Sequence, residues 1–183
     1  MKLFLISISM LLFSSGVAVA KDIKVFGVKT LESVFEYVDS LSSAEPHNET
    51  LGRKYDQIWI TPPKLNSSFD YYGLVYDKET KTVQGLISLG EMFDFDHCLG
   101  QMEGWLPKIE RRFLTDLEKF EQKSDGMVTV GASQWVEIMN SSQSNFQYID
   151  IRCNQYSDGD IALVLLWRTE SLADAVEEYY DDF

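Results

Sequence analysis

The sequence predicts an α+β fold: an antiparallel sheet of about six or seven strands with a long kinked helix and two shorter helices packed on it. Three observations carry this prediction. Several short segments alternate apolar with polar residues and are joined by turn-forming residues, which is typical of hairpins. One long stretch, residues 94–120, instead repeats its apolar residues at helical spacing. Hairpins separated by helices favour an antiparallel sheet with helices on its faces.

The first part of the chain predicts two short strands around a helix. Residues 22–29 alternate in polarity and predict a strand. Thr30 can cap a helix whose apolar residues recur at helical spacing as far as Leu41. Residues 57–61 predict the second strand.

A hairpin and the long helix come next. Residues 71–76 and 82–89 predict paired strands around a charged tip. The helix begins near Asp94, and its inward stripe consists of Cys98, Met102, Trp105, Ile109, Phe113, Leu117 and Phe120. Pro107 should kink this helix or divide it, and the turn residues at 124–126 should end it.

The last part of the chain predicts about three strands and a short helix. Residues 127–130 and 134–139 predict strand, with a break at Gly131 that a bulge would explain. Residues 146–153 alternate in polarity, whereas residues 161–167 are apolar throughout, which indicates a central strand covered on both faces. Ser171, with an acid three residues later, should cap the last helix.

The first twenty residues have the three parts of a secretory signal peptide. Lys2 gives a positive start, an apolar run follows, and Ala18-Val19-Ala20 matches an A-x-A cleavage site. The apolar run is shorter than the roughly 20 residues of a membrane span. We therefore expect residues 1–20 to be cleaved and residues 21–183 to form a single globular α+β domain without a membrane span. The expected location is the periplasm or, alternatively, the extracellular space.

Three N-glycosylation sequons begin at Asn48, Asn66 and Asn140. They would carry sugar in a eukaryotic secretory pathway and have no meaning in a bacterium. We favour a bacterial origin.

The chain contains two cysteines, Cys98 and Cys153. An even pair in an exported protein is usually bridged, so we predict a disulfide. Its loop of about 55 residues would stabilise the fold by roughly 4 kcal/mol in the chain-entropy model. A thiol nucleophile activated by His97 is the alternative, and it is disfavoured because adjacent residues on a helix point in different directions.

The chain is acidic, with a formal net charge of −13. A field of this sign repels nucleic acid and anionic lipid head groups, and it favours a cationic protein as partner. Loss of residues 1–20 removes one lysine and no acid, so the expected mature chain is more acidic still. An acidic surface also serves solubility without any partner.

Asp94, Asp96 and His97 are the densest group of residues capable of acid–base chemistry. We favour a structural interpretation, in which an aspartate caps the long helix. The sequence has neither a G-x-S-x-G elbow nor the ligand spacing of a zinc site, and it has no phosphate-binding or dinucleotide motif. We therefore predict no catalytic residues, no metal and no cofactor, and hence no enzyme.

The C-terminus combines aromatic with acidic residues, which suits contact with a cationic and partly apolar surface. We predict a partner-binding segment there, made of Glu177, Glu178, Tyr179, Tyr180, Asp181, Asp182 and Phe183. The alternative is an amphipathic helix end whose tyrosines pack under the sheet.

Three functional hypotheses follow. The first is an exported acidic protein-binding domain, such as a periplasmic inhibitor or immunity protein that neutralises a cationic secreted enzyme. The second is an accessory or structural domain of a cell-envelope complex. The third is a carboxylate-based hydrolase that uses Asp94, Asp96 and His97. We rank them in this order, because export, acidity and the lack of catalytic motifs fit the first hypothesis best.

Overall fold

The computed structural model describes residues 20–21, 23–42, 54–124, 126–140 and 143–181. Within these residues the strands are β1 (Ala20–Lys21), β2 (Tyr55–Trp59), β3 (Tyr71–Asp77), β4 (Val83–Glu91), β5 (Glu118–Ser124), β6 (Met127–Asn140), β7 (Gln143–Gln155) and β8 (Ile161–Thr169). The helices are α1 (Phe95–Phe113), α2 (Glu170–Asp181) and one 3-10 turn (Val34–Glu36).

The strands form one sheet in the order β1-β6-β7-β8-β4-β3-β2, with β5 also paired to β6. Seven strands pair antiparallel, and only the two-residue β1 runs parallel to its neighbour β6. Short turns join most neighbours, and such turns can connect antiparallel strands but not parallel ones. The predicted α+β fold is confirmed.

The two helices cover opposite faces of the sheet. One face carries Ile149, Ile151 and Leu165, which share a hydrophobic core with the inward residues of α1. The other face carries Val75, which packs with Leu172 of α2 in a smaller apolar cluster. Alternation along each strand separates these two sets. Each fully buried aliphatic side chain stabilises the fold by about 1.5–3 kcal/mol relative to an exposed one.

Several predicted strands are confirmed. The hairpin of β3 and β4 has its tip at residues 78–82, and β7 alternates as expected. β8 lies between β7 and β4, so it is a central strand. Its residues Leu163, Val164 and Leu165 are buried in succession, which shows that both faces of β8 are covered.

The strand predicted at residues 22–29 is wrong. Val25 and Val28 instead pair with each other across a tight turn, through two backbone hydrogen bonds of 2.9 Å. Phe26 and Gly27 occupy this turn with φ of 51° and 85°. Such a left-handed pair suits a tight hairpin turn and interrupts a straight strand.

The helix predicted to begin at Thr30 is also wrong, because only the 3-10 turn Val34–Glu36 forms. Leu31 has a φ of 62°, which no right-handed helix continues through. Its N–H donates to the carbonyl of Val83 at 2.7 Å, so this segment pairs with β4. The Thr30 hydroxyl, expected to cap the helix, accepts from the buried Gln147 Nε2 at 2.7 Å.

The long helix ends earlier than predicted. α1 stops at Phe113, where Leu114 takes a left-handed φ of 54° and its N–H donates to Glu110. Leu117 lies in the following loop, and Phe120 belongs to β5. β5 is an edge strand rich in charged residues, a composition that discourages pairing with other chains.

Three predicted breaks or caps have other roles. α1 runs continuously through Pro107, and β6 runs continuously through Gly131. A Cβ at Gly131 would lie 2.7 Å from the Phe120 ring. The close approach of that ring therefore explains the glycine, and a bulge does not. Ser171 lies inside α2, and its hydroxyl donates to Gln84 Oε1 at 3.2 Å.

The predicted disulfide is confirmed. Cys98 of α1 is bonded to Cys153 of β7, with a Cα–Cα distance of 5.8 Å. Both residues are fully buried, and the bond therefore fixes the start of α1 to the sheet from inside the core.

Among the described residues, no helix is long and apolar enough to cross a membrane. The predicted signal segment, apart from Ala20, lies outside the described residues, and so does the sequon asparagine Asn48. Cleavage after Ala20 stays a prediction.

Candidate functional site

One end of the sheet gathers exposed aromatic and acidic side chains from four places in the chain. β3 begins there, β4 ends there, β7 turns into β8 there, and α1 begins there. We call this surface the acidic-aromatic end. Its residues are Asp70, Tyr71, Glu91, Phe93, Asp94, Asp96, Tyr156, Asp158 and Asp160, all of them exposed.

Backbone hydrogen bonds hold this end together. The Asp70 N–H donates to Leu89 O at 2.8 Å, and the Glu91 N–H donates to Asp70 Oδ2 at 3.0 Å. The Met92 N–H donates to Ile161 O at 3.0 Å. The segment that carries Glu91 and Phe93 is therefore tied to both neighbouring strands and is not a free loop.

Phe93 is the most exposed large apolar residue of the described chain, with 94% of its surface accessible. It stands between a cleft of about 500 Å³ and a second cleft of about 230 Å³, and it lines both. Burial of such a side chain would contribute about 1.5–3 kcal/mol of favourable free energy, which the exposed Phe93 does not provide. Neither cleft has a lysine or arginine among its described lining residues.

The turn between β7 and β8 positions the far side of the larger cleft. Gly159 has a φ of 97°, which allows the sharp reversal after Asp158. The Asp160 N–H donates to Asp158 Oδ1 at 3.2 Å. The Tyr156 hydroxyl accepts from Asn154 Nδ2 at 3.2 Å, which orients its ring at the cleft wall.

The electrostatics of this end favour a positive ligand. The Tyr71 hydroxyl donates to Glu91 Oε1 at 3.4 Å, and the carboxylate of Glu91 raises the pKa of Tyr71. A negative charge on the Tyr71 phenol is therefore disfavoured beside this carboxylate. An aromatic face beside carboxylates attracts a lysine ammonium or an arginine guanidinium.

The predicted Asp94–Asp96–His97 group lies at this same end. Asp94 is the N-cap of α1, and its Oδ1 accepts the His97 N–H at 2.6 Å. Asp96 lies in the first turn, where the helix dipole favours an acid. The structural role proposed for Asp94 is thus observed.

The His97 side chain lies near Phe93 and Gln101. Its ring centroid lies 6.2 Å from that of Phe93, and its Nε2 lies 3.5 Å from Gln101 Nε2. Asp70 and Glu91 line the same 230 Å³ cleft. No carboxylate of the described chain accepts a hydrogen bond from the His97 ring.

Metal ligands do not gather in the part of the chain that the structure describes. No group of three or more His, Cys, Asp or Glu side chains there could hold a metal ion. Asp158 and Asp160, which flank Gly159, belong to a hairpin turn.

The predicted C-terminal partner site is described only in part. The backbone of residues 177–181 continues α2, and the side chains there lie outside the described part, as do Asp182 and Phe183. Partner binding by Glu177, Glu178, Tyr179, Tyr180, Asp181, Asp182 and Phe183 stays a prediction.

Sequence reasoning missed the aromatic members of the acidic-aromatic end. Tyr71, Phe93 and Tyr156 lie far apart in the sequence, and only the sheet pairing brings them together. One local signal was present: Phe93 falls between the alternating pattern of β4 and the helical pattern of α1, so it belongs to neither buried face.

No protein-family model matches this chain, and no curated protein sequence matches it significantly. Function is therefore inferred from the geometry.

Proposed function

We propose that this chain is an exported acidic protein-binding domain that captures a cationic protein through its acidic-aromatic end. The observation that carries this proposal is Phe93, which is 94% exposed and lies between two clefts rimmed by acids. Exposed apolar surface rimmed by polar groups marks interaction sites.

The composition of this surface suits a partner with lysine or arginine beside apolar residues. A cation over an aromatic face contributes about 0.5–2 kcal/mol, the larger value when it is desolvated. Phe93 would insert into the partner as an apolar anchor, and such anchors carry most of the energy of an interface. The surrounding carboxylates would steer the approach and exclude anionic competitors.

Within this class we favour a periplasmic inhibitor or immunity protein that neutralises a cationic secreted enzyme. The buried disulfide supports an oxidising compartment, either periplasmic or extracellular. An accessory domain of a cell-envelope complex would use the same surface and differs only in what it binds. Inhibition of the captured partner's activity by an equimolar amount of this protein separates the two, since an accessory domain leaves that activity intact.

Site-specific photo-crosslinking tests the proposal. Phe93→p-benzoylphenylalanine places the crosslinker between the two clefts. The matched control is Phe35→p-benzoylphenylalanine, because Phe35 is also an exposed phenylalanine, 53% accessible, beside the opposite end of the sheet. Each purified variant is irradiated in an extract of the compartment from which the native protein is recovered.

We expect one dominant adduct from position 93, formed with a protein of basic isoelectric point and absent from position 35. Raised salt should suppress the adduct, because exposed charges are screened beyond about 10 Å at 0.1 M ionic strength. Equal adducts from both positions, or a dominant adduct with an acidic protein, would reject the acidic-aromatic end as the contact.

A further inference from the structure

A further cavity lies between α1 and the turn at residues 25–28, and it shares no lining residue with the two clefts of the acidic-aromatic end. It has a volume of about 210 Å³. Val25, Trp105 and Ile109 form its walls, and Ile149 and Leu165 of the central strands line its base. An engineered apolar cavity of about 150 Å³ is enough to bind benzene. This cavity therefore has room for one aromatic ring or a short alkyl chain.

The charged residues around this cavity are all cationic. Lys24, Lys108 and Arg112 line it, and no acidic residue does, in a chain whose net charge is −13. Within the described chain, none of the three pairs with a carboxylate. Lys108 and Arg112 lie at i and i+4 on α1, where like charges repel. Among the residues that the structure describes, positive charge is thus concentrated here without a paired carboxylate.

Existing contacts hold two of the three cationic groups at the cavity. Arg112 Nη2 donates to the carbonyl of Lys24 at 3.0 Å, and the Lys108 ammonium lies 4.7 Å from the centre of the Trp105 ring. The turn at residues 25–28 is itself held by Lys64, whose N–H donates to Phe26 O at 3.0 Å. The Lys108 and Arg112 head groups and the turn are consequently positioned before any ligand arrives.

We infer that this cavity binds a small apolar acid, with its ring or short alkyl chain among the apolar walls and its carboxylate between Lys24, Lys108 and Arg112. The apolar body gains from leaving water, and the carboxylate supplies the charge that the rim lacks. This site is separate from the proposed protein-binding surface and does not depend on it.

Long basic side chains also lie along apolar surface simply to cover it. That explanation predicts no preference for an anionic head group. Three probes with the same eight-carbon chain distinguish the two: octanoate, 1-octanol and octylammonium. Their binding to the full chain is measured by titration calorimetry and by methyl NMR shifts.

We expect octanoate to bind about tenfold more tightly than 1-octanol, and octylammonium more weakly than either, because a few partly exposed ion pairs together supply a difference of this size. Shifts should centre on Ile109, Ile149 and Leu165, with Leu172 on the opposite face unaffected. Lys24→Met and Lys108→Met, which keep the aliphatic stems, should each weaken octanoate about threefold and leave 1-octanol unchanged.

Lys123→Met is the control, since Lys123 is also exposed but lies on the edge strand β5, and it should leave octanoate binding unchanged. All three substitutions are at exposed sites, and unchanged thermal unfolding confirms that the variants fold. The inference is overturned if octanoate does not bind, if 1-octanol binds as tightly as octanoate, or if the shifts centre elsewhere.

Discussion

Cys98, in the first turn of α1, is bonded to Cys153 on the inward face of β7. Asp94 lies four residues before Cys98, and Phe93 directly precedes Asp94. The disulfide therefore anchors not only a helix but also the segment that carries the exposed phenylalanine. The same disulfide therefore contributes to the stability of the fold and to the position of the proposed binding surface.

Replacement of both cysteines by alanine should lower the free energy of unfolding by at most roughly 4 kcal/mol, the chain-entropy value for a loop of this length. The double variant should also bind its partner more weakly, because the start of α1 loses its covalent anchor. Denaturant unfolding and binding affinity measure the two effects. Thiol titration of the unreduced, unfolded parent should find no free thiol, and two free thiols would contradict the bond.

Loss of the Asp94 cap should cost stability and leave any role of His97 untouched. Asp94→Ala removes the acceptor of the His97 N–H and should lower the free energy of unfolding by about 1 kcal/mol in urea unfolding. His97→Gln should leave stability intact, because the Asp94 cap uses only the backbone N–H of His97. If His97→Gln abolished cellular function at unchanged stability and unchanged partner binding, the hydrolase hypothesis would replace the binding hypothesis.

Asp150 makes stability depend on pH. Its side chain is 2% exposed on the sheet face away from α1, with Arg152 Nη1 3.4 Å from its carboxylate. Burial raises the pKa of Asp150, and the nearby charges of Arg152 and Arg168 only partly oppose this. Because the folded pKa lies above the unfolded one, ionisation of Asp150 costs the folded state free energy. That cost is absent below the unfolded pKa of about 3.9 and complete above the folded pKa.

Asp150→Asn removes this cost. The free energy of unfolding of the variant minus that of the parent should therefore be more positive at about pH 7 than at about pH 3. Urea unfolding at both pH values gives the difference, and Asp116→Asn at an exposed site is the control. The same difference at both pH values would show that burial does not disfavour the ionised carboxylate.

The sheet could be predicted because its signals are local. The alternation along β7, the apolar run of β8 and the Asp158-Gly159 turn each lie within a few residues. The helix from Thr30 could not be excluded in the same way. Its apolar spacing is helical, but pairing of Leu31 with Val83 supplies the backbone hydrogen bonds instead, and that partner is distant in sequence.

The end of α1 shows the same limit. Leu117 and Phe120 continue the helical stripe in the sequence, yet the left-handed Leu114 ends the helix before them. Phe120 instead packs close to Gly131 in the sheet, which also explains why that glycine is there. Local spacing predicted the helix, and only tertiary packing determined where it stopped.

The candidate site was predictable only in its acidic part. Asp94 and Asp96 are close together in the sequence and were predicted as one group, and they do lie at the acidic-aromatic end. Tyr71 and Tyr156 reach it through strand pairing alone. An exposed aromatic leaves no periodic pattern of its own, so sequence reasoning could not assign it to a surface.

The kinetics of association with the captured cationic partner test the central claim most directly. Glu91→Gln combined with Asp160→Asn removes two charges from the acidic-aromatic end, and Asp116→Asn combined with Glu118→Gln removes two exposed charges beyond the other end of α1. At low salt the first pair should slow association at least about threefold, and the second pair should leave it nearly unchanged. Dissociation should change little in both, whereas Phe93→Ala should speed dissociation about tenfold. Equal slowing by the two pairs of substitutions, or association that ignores both salt and charge, would contradict capture through the acidic-aromatic end.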